Sequence, residues 1–230
     1  MPEKIIGILG GMGPEATIDL FYKIIKFTPA EKDQDHLRII IDNNPKIPDR
    51  TAAILGKGKD PLPALQETAR NLEKAGADFI IIPCNTAHYF LSSIQKSVKI
   101  PILNMIEETA KETQKKNSSI KKVGLLASIG TYKTKIYHQH FKKYNIEVIS
   151  PEENDKEELM KIIYEVKAGD LSEGIKISIL KIAQKLIDKG SEALIAGCTE
   201  IPLILKEGDI SVPLIDPTQV LAKVAVQKVR

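Results

Sequence analysis

Three blocks of this 230-residue chain recur in the same order at nearly the same distance. IGILGGMGPEAT (6–17) aligns with VGLLASIGTYKT (123–134), KAGADFIIIPCNTA (74–87) with DKGSEALIAGCTEI (188–201), and IPILNMIEETAK (100–111) with VPLIDPTQVLAK (212–223). Their starting residues stand 117, 114 and 112 positions apart. A repeat this long that occurs twice is not a short-period solenoid; it implies two similar halves.

Apolar runs of strand length recur through the chain, in the blocks and between them. The runs are Ile5–Leu9, Leu37–Ile41, Phe79–Ile82 and Pro101–Leu103, then Val123–Ala127, Ile146–Ile149, Ala193–Ala196 and Pro213–Ile215. Most are uninterrupted, the pattern of strands covered on both faces and hence of a parallel sheet. Between them, Ala64–Lys74, Leu159–Val166 and Ile175–Lys189 place apolar residues three and four apart, as helices do. Alternating strand and helix predicts an α/β fold with right-handed crossovers. The expected architecture is two pseudo-symmetric lobes, each a mainly parallel sheet flanked by helices. The C-terminal helix is expected to return to the N-terminal lobe, which then comprises residues 1–107 plus 214–230, with 108–213 as the C-terminal lobe and an active site in the cleft between them.

Composition narrows the function. At 43% hydrophobic the chain can build a sizeable core. A net charge of +3 on 27% charged residues gives no basic block for nucleic acid and no acidic tail, and the charged stretch at 112–122 reads as a solvated helix face. No apolar stretch approaches the ~20 residues of a membrane helix. The N-terminus lacks the long apolar core and cleavage site of a signal peptide, so a strand starting almost at residue 1 and a cytoplasmic protein without membrane partners are expected. Two cysteines, neither in a CxxC pair, argue against a disulfide scaffold and a structural zinc site.

The duplication sets Cys84 and Cys198 at equivalent places, each after a buried strand and before a helix. In open α/β sheets ligands bind beyond the carboxyl ends of the strands. Two thiols meeting there across a pseudo-twofold axis suit a reaction with mirror-image demands, such as racemisation. An unperturbed thiol titrates near pH 8.5, within reach of neutral pH when a helix N-terminus favours the thiolate. Two adjacent thiols resist double ionisation, so the pair passes through a one-proton state. Alternatively, each cysteine is a small buried apolar residue. Asn85, Thr86 and Thr199 fall in the first residues of their helices, where they are expected to cap and where backbone N–H groups bind carboxylates.

The glycine loop GILGGMGPEAT is the other notable turn. Pro14 suits a first helical position, and the glycines let a ligand approach closely. Residues 11–16 also match G-x-G-x-x-A, but the next strand ends at Asp42, beyond the expected acidic position, and no phosphate-loop lysine pattern follows. The need of a strand-to-helix turn explains the glycines better than a nucleotide does.

GGMGPEAT, PCNTAH and GCTEIP together resemble the aspartate racemases of the aspartate/glutamate racemase superfamily, and the correspondence runs through all repeat blocks. The resemblance implies cofactor-independent racemisation of aspartate between two α/β lobes, in a homodimer. By it, Cys84 and Cys198 are the acid/base pair. Met12, Asn85, Thr86, Ala87, Thr131 and Thr199 belong to the substrate site, and Arg50 and Lys167 match the family's substrate-binding arginine and lysine. A bidentate guanidinium suits a β-carboxylate; without the resemblance both residues read as surface charges. No metal and no cofactor is expected. The glutamate branch has Asp-Ser where this chain has Gly10-Gly11, and His where it has Glu200, so glutamate is disfavoured. His88 and His138 are left as exposed helix residues. Other superfamily chemistry, including decarboxylation by a single thiol, and a two-lobed amino-acid binding protein remain as rivals.

Overall fold

The computed structural model describes residues 4–116 and 118–230. Met1–Glu3, where the early strand start was expected, and Asn117, within the charged 112–122 stretch, lie outside the described residues. The chain forms two compact units, Met1–Glu108 with Thr218–Arg230 and Thr109–Pro217.

In the first unit the elements run β1 (Ile6–Gly10), α1 (Pro14–Phe27), β2 (Ile39–Asn43), α2 (Arg50–Ile54), α3 (Leu62–Lys74), β3 (Phe79–Ile81), a 3-10 helix (Thr86–Phe90) and α4 (Leu91–Gln95). The sheet is parallel in the order β2-β1-β3, and Ile102 adds a parallel bridge to Ile80. Both faces of β1 are covered, which explains its unbroken apolar run. Ile6 and Ile8 share a cluster with Leu20 and Ile24 of α1, and Leu9 shares another with Leu65, Ala69 and Leu72 of α3. Each fully buried Leu or Ile among them contributes roughly 1.5–3 kcal/mol. Pro14 opens α1 in its first turn, with Gly13 as the cap residue.

The chain enters the second unit within α5 (Met105–Lys116). There follow β4 (Lys122–Ala127), α6 (Ile129–Thr134), α7 (Ile136–Lys142), β5 (Glu147–Ile149), α8 (Glu153–Lys167), α9 (Glu173–Asp188), β6 (Ala193–Gly197), α10 (Ile201–Ile204) and β7 (Leu214–Ile215). All pairings are parallel, in the order β5-β4-β6-β7. This is the first unit's order with its Ile102 bridge grown into a strand. One core lies where α8 and α9 press Leu159, Ile163, Ile179 and Ile182 onto Leu126, Leu194 and Ala196.

The last helix, α11 (Pro217–Val229), packs Leu221, Ala222, Ala225 and Val226 in the same cluster as Ile6, Ile8 and Phe79 of the first unit. Residues 214–217, which the sequence assigns to the N-terminal lobe, lie instead in the second unit. Leu214 and Ile215 pair with Leu194 and Ile195, and these ladder bonds hold that segment to β6.

Candidate active site

In the first unit two loops leave adjacent strand ends, β1 leading to Gly10–Gly13 and β3 to Cys84. Gly11 has φ +93°, and a Cβ there would stand 2.3 Å from the Asn44 carbonyl carbon. The glycine is thus required by the protein's own backbone rather than by a ligand's approach. Thr17 ties the turn shut: its hydroxyl accepts the Gly11 N–H at 2.9 Å and donates to the Gly13 carbonyl at 3.2 Å. Met12 is buried and clusters with Ile47, Cys84 and Ala87.

Cys84 is a free cysteine, 6% exposed, in a tight turn whose N–H donates to the Ile82 carbonyl. The following helix is a 3-10 helix, and Asn85, at its cap position, makes no side-chain bond to its amides. The expected capping by Asn85 therefore does not occur; a tight 3-10 start presents the first amides differently from an α-helix. Asn85, Thr86 and Ala87 are buried. His88 is buried as well, not an exposed helix residue. Its Nδ1 stands 2.8 Å from the Cys84 carbonyl oxygen and its Nε2 3.1 Å from the Met105 N–H. Nδ1 therefore donates and Nε2 accepts, which fixes a neutral ring that pins the Cys84 turn to the start of α5.

Arg50 opens α2, which packs against the 3-10 helix after Cys84. Asp49 caps α2 by accepting the Ala52 N–H at 2.6 Å. Far from being a surface charge, Arg50 is 8% exposed. One terminal nitrogen donates to the Ile47 and Pro48 carbonyls, at 3.2 and 3.0 Å, and its Nε is buried without a partner. Among the described residues no carboxylate pairs with this guanidinium. A buried cation without a counter-ion is costly, and here two backbone carbonyls are its hydrogen-bond partners.

In the second unit β4 and β6 are neighbours, with Ala127 beside Gly197. Ser128 caps α6 by accepting the Thr131 N–H at 3.3 Å, and Thr131 is buried with its hydroxyl 3.2 Å from that of Ser128. Cys198, free and 7% exposed, donates to Glu200 Oε2 at 2.9 Å, and the Thr199 hydroxyl donates to the same oxygen at 3.2 Å. Thr199 thus binds Glu200 rather than capping α10, whose cap position is Glu200. A negative charge on Cys198 would act on Tyr132 and Tyr137. Burial pushes both phenols far above their usual range; for Tyr132 the Ala127 N–H opposes that and Cys198 adds to it, while for Tyr137 Asp216 and then Cys198 add to it.

The first unit thus gathers Met12, Cys84, Ala87 and the helix carrying Arg50, and the second gathers Cys198 and Thr199 beside the Ser128–Thr131 turn. Lys167 is exposed on the last turn of α8, with its ammonium 5.6 Å from the Tyr164 ring centroid. Among the described residues no cluster of His, Cys, Asp or Glu is placed to hold a metal ion, and no helix is long and apolar enough to cross a membrane. Sequence reasoning gave Glu200 and His88 no role in the site. The signal for Glu200 was an acid two residues after a cysteine amid apolar neighbours; for His88 it was helical spacing, four residues on, from the Cys84 carbonyl.

A family model described as Asp/Glu/Hydantoin racemase matches residues 9–225. The broad specificity amino-acid racemase RacX of Bacillus subtilis (strain 168) is 30% identical over 225 residues, 95% of each chain. The solved structure of Picrophilus torridus aspartate racemase superposes with a TM-score of 0.85 at 36% identity, covering 98% of this chain and 93% of that one. An aspartate racemase homologue from Pyrococcus horikoshii OT3 gives 0.77 at 30%, covering 98% and 99%.

Proposed function

The chain belongs to the Asp/Glu/Hydantoin racemase family, and from that premise we propose that it interconverts L- and D-aspartate without a cofactor, with Cys84 and Cys198 as the acid/base pair. Family and relatives make it an amino-acid racemase; the substrate and the two-thiol route are the proposal. The observation that carries the substrate is the buried Arg50 guanidinium that lacks a carboxylate of its own. The β-carboxylate of aspartate supplies the missing counter-ion, with Lys167 as a second cation. Asn85, Thr86, Ala87, Thr131 and Thr199 contact the amino acid's polar end, and Met12 gives an apolar wall.

Chemically, one sulfur as thiolate takes the α-proton, and the other, as thiol, delivers its own to the opposite face. The mechanism requires both sulfurs to reach one α-carbon. An α-proton is far less acidic than a thiol, and each unit of mismatch costs about 1.4 kcal/mol. Amide and hydroxyl donors on the α-carboxylate, with water excluded, offset that gap.

The test is exchange of the α-hydrogen of each aspartate enantiomer in deuterated water with no added cofactor. Cys84→Ser and Cys198→Ser should each lower racemisation about a thousandfold or more. Near-normal rates in both variants would refute the two-thiol route. Arg50→Ala should lower kcat/KM for aspartate about a hundredfold, and much less for alanine. The likeness to RacX favours a second reading, a broad range of amino acids. Equal losses for aspartate and alanine in Arg50→Ala would favour it.

A further inference from the structure

We propose that Glu200 holds the proton of the thiol pair on Cys198, making Cys198 the donor and leaving the first proton abstraction to Cys84. This inference rests on the two-thiol reading above. The Cys198 sulfur donates to Glu200 Oε2 at 2.9 Å, with both side chains buried, Glu200 at 5% and Cys198 at 7% exposure. Thr199 donates to the same oxygen and holds the carboxylate in place. A carboxylate at that distance stabilises S–H as its hydrogen-bond donor and opposes a second negative charge on the sulfur.

Tyr132 of α6 and Tyr137 of α7 also register Cys198, and Asp216, just after β7, acts on Tyr137. Burial keeps both phenols protonated, and the Tyr132 hydroxyl is spent on the Leu125 carbonyl and the Ala127 N–H. Glu200 is thus the acidic group bonded to the sulfur. For one enantiomer the α-proton passes to the Cys84 sulfur and the Cys198 S–H bond gives its proton to the other face of the carbanion. For the other enantiomer the roles reverse, and Cys198 must first lose its proton against the charge of Glu200. Glu200 then faces a thiolate until the proton returns. It is a positioning residue, acting through Cys198.

The experiment follows iodoacetamide alkylation of each cysteine against pH, read by peptide mass spectrometry in the absence of substrate. In the folded wild-type protein Cys198 should begin to react at higher pH than the same cysteine in the urea-unfolded chain. An onset at or below that of the unfolded chain overturns the proposal. Glu200→Gln and Glu200→Leu both remove the charge, and either should move the Cys198 onset down by on the order of one pH unit while Cys84 stays in place. An unmoved Cys198 onset in a folded variant overturns it. The alkaline limb of kcat/KM should shift down with the charge removed, equally for both enantiomers. Because alkylation is read without turnover, a failed racemase assay would sink the functional reading, whereas an unmoved alkylation onset would sink only the role of Glu200.

Discussion

The turns that carry Cys84 and Cys198 leave equivalent strand ends but stand in opposite charge surroundings. Each follows a strand that lies beside its unit's central strand, with Ile8 opposite Ile81 in one and Leu125 opposite Ile195 in the other. Around Cys84 stand a neutral histidine bonded to backbone and a helix that begins with a buried arginine. Around Cys198 stands a carboxylate bonded to the sulfur itself. By the repeat register Glu200 replaces Thr86, Pro202 replaces His88 and Ser128 replaces Gly11. The duplicated fold fixes where a thiol is placed; a few side-chain replacements decide what each thiol can do.

The largest stability contrast lies in the first turn of each half. Gly11→Ala puts a Cβ into the Asn44 backbone at a positive φ, so a cost of about 3 kcal/mol or more is expected in urea denaturation. Ser128 has φ −71° and serves as a cap, so Ser128→Ala should cost only about 1 kcal/mol. Equal costs would show that the two turns have not diverged in their backbone demands.

A smaller contrast tests the pin under Cys84. His88→Ala leaves the Cys84 carbonyl and the Met105 N–H without the ring between them, at an expected cost of about 2 kcal/mol. Pro202→Ala at the equivalent position removes no hydrogen bond, and its cost should stay under about 1 kcal/mol. A larger loss in Pro202→Ala, by thermal unfolding, would reverse the reading of which turn depends on its fourth residue.

These contrasts also show what the sequence could and could not disclose. The sheets were legible because strands covered on both faces must be apolar throughout, as Ile6–Leu9 and Ala193–Ala196 are. The repeat gave the two similar halves and the equivalence of the cysteines. Burial of charge was not legible: Arg50 reads as a surface residue until its guanidinium is seen bonded to the carbonyls of Ile47 and Pro48. Nor were the true caps, since whether Asn85 or Thr199 caps depends on the exact turn that follows, a 3-10 helix in one case and a four-residue helix in the other. Short polar side chains have several local partners within reach, and pattern alone does not choose among them.

The smallest effect separates the histidines of the two halves. His138 in α7 is half-buried, and its Nε2 lies 3.4 Å from the Ser150 hydroxyl. Burial, then Lys135 and Lys156, holds it below the ordinary histidine value of 6.5. Above that value the ring is neutral in folded and unfolded chains alike, and it adds no pH dependence. As pH falls through 6.5 the unfolded chain takes up a proton that the folded one does not yet accept, so stability drops until the lower folded value is passed. His138→Gln removes this titration. The variant should lose less stability than wild type between pH 7 and pH 5, by about half a kcal/mol given the partial exposure. Urea denaturation at the two pH values reads the difference directly. Parallel losses in wild type and variant would mean that neither burial nor the two lysines hold this ring below its ordinary value.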